Sequence, residues 1–171
     1  LSETGAVRLS DTVSLVGHDG WGDARLGDPV GSPVLLNDFA LIRELAGLPR
    51  PELLSRLRAL GDEAAAHISR ALDEAIPGAE HVIVLTHVPP FVGAAWHQGR
   101  PSDKDYVPFF ACKAVGDVLL TTMQRNPGKR MTVLCGHTHG GGTYEPLPNL
   151  TVITGAARYG HPTIHRPPRL S

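Results

Sequence analysis

Residues 81–90 read His81-Val82-Ile83-Val84-Leu85-Thr86-His87-Val88-Pro89-Pro90. The first six are rich in β-branched residues and apolar at successive positions, the pattern of a strand buried on both faces. The two prolines that follow His87 stiffen the turn behind it. What flanks this strand decides the class. Before it, Leu53, Leu57 and Leu60 share one face of a helix for which Pro51 suits the first position. Gly61-Asp62 is expected to interrupt that helix. Ala64, Ile68, Ala71, Leu72 and Ala75 then continue its apolar stripe to the stop at Pro77-Gly78. After it, Val115, Val118, Leu119 and Met123 predict a helix over about 111–125, closed by Asn126-Pro127-Gly128. Arg130–Cys135 reads as another buried strand and Leu150–Thr154 as the last long one. Strand, helix, strand, helix, strand implies an α/β layered sheet, with ligands at the C-terminal ends of the strands.

Further upstream, Val7–Leu9 and Thr12–Val16 read as two short strands joined by the turn-prone Ser10-Asp11. A loop rich in Gly, Asp and Pro is expected from Gly17 to about Val34. Asn37 or Asp38 is a cap for a helix running to Ala46, with Gly47 as its stop. A second long loop runs from His87 to Tyr106, and the prolines from His161 to Ser171 predict an irregular tail. Loops of this length usually carry function or lack order.

The 171 residues are enough for one core, and 42% hydrophobic against 19% charged is a globular composition. A net charge of -1 provides no basic field for non-specific nucleic-acid binding. Two cysteines, Cys112 and Cys135, are too few for a disulfide framework and read as free thiols of a reducing compartment, so a cytoplasmic location is expected. No apolar run is long enough to span a membrane.

The sharpest chemical feature is Gly136-His137-Thr138-His139-Gly140 at the end of a buried strand. Two imidazoles two residues apart can converge on one small volume, and flanking glycines let the backbone turn there. Imidazole is the commonest nitrogen ligand for Zn, Fe and similar ions. His87 stands directly after another buried strand, fifty residues earlier, which leaves room for one strand–helix–strand crossover. Its strand end can therefore neighbour that of His137. Around this trio, His18, Asp19, Trp21 and Arg25 form a loop after a strand that would border the site. Trp96, His97 and Tyr106 lie in the loop after His87, where they would shape a substrate pocket. Cys135 reads as a buried cysteine and Gly140-Gly141-Gly142 as a turn. His67, His81, His161 and His165 carry no motif.

The order of an isolated His followed by a late Gly-His-x-His resembles the calcineurin-like metallophosphoesterases. His87 matches their isolated metal histidine, and His137 and His139 match their closing Gly-His-x-His. The resemblance covers roughly Val7–Thr154 and implies that residues 1–171 are the C-terminal portion of one such domain, an αββα sandwich of two sheets flanked by helices. It also implies that His87 and His137 bind one metal and His139 another. The metals would be two divalent or trivalent ions (Mn, Fe, Zn or Co), about 4 Å apart, that activate a hydroxide against a phosphoester. The family's Asp-x-His, Gly-Asp-x-x-Asp and Gly-Asn-His-Asp/Glu motifs are absent. The catalytic residues are therefore expected upstream of Leu1, this chain alone is expected to be inactive, and a face left exposed should associate with other protein. The alternative is a non-catalytic interaction scaffold on the same fold.

Overall fold

The computed structural model describes residues 1–161, so the expected tail from position 162 onward, with His165, lies outside the described residues. The elements in chain order are β1 (Val7–Arg8), β2 (Val13–His18), α1 (Asp38–Leu41), α2 (Arg50–Ala75), β3 (His81–Thr86), β4 (Trp96–His97), β5 (Arg100–Pro101), α3 (Val107–Phe110), α4 (Lys113–Arg125), β6 (Arg130–Cys135), β7 (Gly142–Leu147) and β8 (Leu150–Thr154). Single 3₁₀ turns lie at Ile76–Gly78 and Val92–Ala94.

Six strands form one sheet in the order β1-β2-β3-β6-β8-β7, and β4 pairs with β5 in a separate ribbon. The four central strands run parallel, with an antiparallel strand at each edge. The β-branched runs thus occupy the positions where a sheet is most covered. Helices α2 and α4 are the crossovers of the β2–β3 and β3–β6 pairs, and they pack against each other on one face of the sheet. Val16, Val84, Val133 and Val152 are register partners across that face. They meet Ala64, Ile68 and Leu72 from α2 and Val115, Leu119 and Met123 from α4, all fully or almost fully buried. Each large aliphatic in this layer contributes roughly 1.5–3 kcal/mol by leaving water.

The chain is therefore α/β, with a mixed, mostly parallel sheet flanked by helices. Among the described residues there is one large sheet, so the stacked second sheet that the family resemblance implies is not among them. The face away from the helices carries a second register row, Leu85, Leu134 and Ile153, with Leu15 and Ile83 beside it. Ile83 is buried, the others are half-buried, and none belongs to the apolar clusters formed by the helices.

Several local expectations need correction. Helix α2 runs unbroken through Gly61-Asp62, because Gly61 is where the Asp23 side chain crosses it and a Cβ would collide with the Asp23 Cβ. The helix expected to reach Ala46 stops at Leu41. Asn37 makes no side-chain cap bond, and Ile42 is extended at φ -81°, ψ 115°. Strand β2 reaches His18, beyond the expected end at Val16, since its parallel pairing with β3 continues to His18 opposite Thr86. The unforeseen strand β7 contains Pro146 and is bulged between Tyr144 and Leu147, as an edge strand tolerates.

Candidate functional site

Strands β2, β3 and β6 end side by side, and backbone bonds carry that alignment into the loops. His87 N–H donates to the Asp19 carbonyl at 3.1 Å, and Gly136 N–H donates to the His87 carbonyl at 3.0 Å. His87 and His137 thus leave adjacent parallel strands at the same level. Their rings meet, with Nε2 of His87 and Nδ1 of His137 3.1 Å apart, centroids 4.8 Å apart and planes at 62°.

The turn that presents the second imidazole is unusual. His137 and His139 lie at φ +66° and +59°, whereas neither flanking glycine has a positive φ. The left-handed conformation expected of the glycines has fallen on the histidines. It costs an L-residue roughly 1–2 kcal/mol at each position, and such outliers concentrate at functional sites. Gly140 is needed for a different reason, since a Cβ there would run into the Trp96 carbonyl.

Aromatic rings flank the pair on one side, with His137 half-buried and His87 exposed. Trp21 stacks on His87 with centroids 5.3 Å apart and planes at 17°, and meets His137 edge-on at 4.8 Å. Phe110 stands perpendicular to His137 at 5.1 Å. His97 lies edge-on to Phe110 at 5.5 Å, stacks on Tyr106, and sets its Nδ1 3.2 Å from the Thr138 carbonyl. Desolvation makes the rings reluctant to protonate. It lowers the His87 pKa, against pulls from Asp38 and Asp19, and with the neighbouring His87 it takes His137 down to about 4. Both imidazoles are therefore neutral at physiological pH, the form that binds metals.

Of the other expected residues, His139 packs edge-on against the exposed Tyr159 at 4.6 Å. It is close enough to depress both other imidazoles electrostatically. His18 and Asp19 border, with His87 and Trp21, a cleft of about 600 Å³. The His18 ring turns back locally, accepting from Gly20 N–H at 2.9 Å and lying 5.2 Å from His67. Trp96 packs its ring over Gly142, where a Cβ would clash. Cys135 sets its Sγ 3.3 Å from Thr154 Oγ1, and burial raises its pKa to about 11.

The sequence carries no sign of Phe110, whose place in the site comes only from tertiary packing, nor of the electrostatic pull of Asp38 on both imidazoles. Of the five buried side-chain polar atoms without a hydrogen-bond partner among the described residues, four belong here: Trp21 Nε1, Trp96 Nε1, His137 Nε2 and Thr138 Oγ1. Native proteins rarely leave such atoms unpaired.

The neutral imidazoles, with His87 Nε2 and His137 Nδ1 converging to 3.1 Å, fit the nitrogen side of a metal ion. A cage for two ions is a different matter. No group of three or more His, Cys, Asp or Glu side chains among the described residues is arranged to hold a metal. No known family model, curated protein or solved structure matches the chain.

Proposed function

We propose that this chain carries the imidazole part of a metal-dependent phosphoester hydrolase site, with His87 and His137 as nitrogen ligands to one ion and His139 as a ligand to a second. The observation that carries this reading is the meeting of His87 and His137, fifty residues apart in sequence, at 3.1 Å over the C-terminal ends of adjacent parallel strands. That is where α/β sheets place their ligands. Left-handed backbone at both histidines of the His-x-His and the cluster of unpartnered polar atoms support the same reading. So does the resemblance to calcineurin-like metallophosphoesterases, of which this would be the αββα fold's C-terminal portion.

A bound ion of this kind supplies Lewis acidity to a phosphoryl oxygen and acidifies a coordinated water. The chain's own part is to hold neutral imidazoles in fixed orientation and to wall them with Trp21 and Phe110. His18, Asp19, Trp96 and His97 are assigned to the surrounding pocket. Among the described residues no carboxylate contacts His87, His137 or His139, and the complete site requires carboxylates from other residues.

The test is hydrolysis of p-nitrophenyl phosphate and bis(p-nitrophenyl) phosphate, with Mn²⁺, Zn²⁺ or Co²⁺, by this chain joined to the residues that supply the carboxylate ligands, since this chain alone is expected to show no turnover. In that complete site, turnover is expected to fall in His87→Ala and His137→Ala by more than the roughly 10–100-fold that loss of an outer-shell partner costs. Turnover indifferent to both substitutions would remove the histidines from the mechanism. The uncovered face bearing Leu85, Leu134 and Ile153 supports association with further protein through that face.

A further inference from the structure

Trp21 is 8% exposed, and its indole touches both members of the histidine pair, face-on to His87 and edge-on to His137. Its place is fixed from several directions. Gly22 lies so close to the Phe109 backbone that a Cβ would not fit. Asp23 N–H donates to the Ala111 carbonyl at 3.2 Å and Ala24 N–H to the Pro108 carbonyl at 2.9 Å. The fully buried Asp23 carboxylate accepts from Ala114 N–H at 2.9 Å and pairs with Arg25 at 3.1 Å. Arg25 in turn grips Asp62 of α2 with two bonds of 2.8 Å. The segment holding the indole is thus tied to both crossover helices.

The bond between the imidazoles depends on the tilt of their planes, because only a narrow range of ring angles brings Nε2 and Nδ1 within reach. Trp21 lies parallel to one ring and across the edge of the other. The Trp21 Nε1 has no partner among the described residues, although a buried indole N–H usually finds one. The ring is therefore placed by its faces and edges, against the preference of its polar atom.

We propose that Trp21 is the positioning residue of the histidine pair, setting the ring planes of His87 and His137 so that their nitrogens converge. The proposal deepens the metal-ligand reading and rests on it for its functional meaning, while the ring placement itself is measurable without any metal. It does not make Trp21 a ligand or a proton carrier. Its effect on metal binding would pass through the imidazoles alone, as outer-shell partners of metal-bound histidines act.

The experiment is proton and nitrogen NMR of the imidazoles at one fixed alkaline pH, in the whole chain and in Trp21→Phe and Trp21→Leu, followed by Co²⁺ titration of each. In the parent, the His87 ring protons should be shifted upfield by the stacked indole, and the nitrogen shifts should show one proton shared between His87 Nε2 and His137 Nδ1. Trp21→Phe should keep the shared proton and bind Co²⁺ within about threefold of the parent, since a ring still covers His87. Trp21→Leu should lose the shared proton and about tenfold in Co²⁺ affinity. A folded Trp21→Leu that keeps both would overturn the proposal. Absence of the upfield shift in the parent would overturn it without any variant. A parent with both proton signatures that takes up no Co²⁺ would instead overturn the ligand reading, while supporting the placement of the rings by Trp21.

Discussion

His137 combines a strained backbone with a desolvated ring, and each has a measurable consequence. Its φ of +66° and that of His139 at +59° are conformations that glycine adopts without penalty. His139→Gly is therefore expected to leave stability unchanged or raise it by up to about 1 kcal/mol, as read from urea denaturation. A residue placed for packing would lose stability on the same change. The ring gives a pH dependence. The folded pKa of about 4 lies below the ordinary 6.5, so unfolding takes up a proton between those values. Stability is thus full above about pH 6.5 and declines as pH falls towards 4, by the order of 2–3 kcal/mol from this ring. His87, also lowered, acts in the same direction. Urea melts at pH 7.5 and 4.5 check the sign, and His137→Gln should flatten the difference.

Among the elements, the loop after β2 contributes more than its composition promised. The buried Asp23 carboxylate takes the Ala114 N–H in the first turn of α4, whose own cap residue Cys112 offers no side-chain bond. An anion there also opposes the positive end of the helix dipole. Asp23→Ala strands this N–H while Arg25 keeps Asp62, and a loss of about 1–3 kcal/mol is expected in thermal or urea melts. A loss near zero would mean that the loop is not a fastener. Legibility in the sequence followed the same division. Strands β3, β6 and β8 and helices α2 and α4 were readable because the periodicity of their apolar residues is local. The edge strand β7 was hidden by its proline and its exposure. The β4–β5 ribbon was hidden in a long loop, although Gln98-Gly99 supplies the two positive φ values of its turn. The histidines of the site were legible through Gly-His-x-His and the strand before His87. Trp21 was legible as a neighbour of the site, but its stacking on His87 and the place of Phe110 were not, since nothing near either in sequence indicates the ring it will meet. Asp23 and Ala114 are 91 residues apart, beyond the reach of any local pattern.

At the scale of the molecule, the sheet is covered on one face by α2 and α4 and presents Leu15, Leu85, Leu134 and Ile153 half-buried on the other. An apolar patch of this kind favours association. Light scattering of the purified chain should give a mass above the monomer that rises with concentration, and Leu85→Lys with Leu134→Lys should return it towards the monomer. A monomeric parent would show that this face needs no cover. Among the described residues no helix is long and apolar enough to cross a membrane. The central claim concerns the C-terminal end of the same sheet, where His87 and His137 meet. Elemental analysis after equilibration with Zn²⁺ or Co²⁺ and gel filtration, on the parent, His87→Ala and His137→Ala, tests it most directly. Stoichiometric metal in the parent, lost in both variants with their folds intact, is the predicted result. Equal metal in all three, or none in the parent, would contradict it.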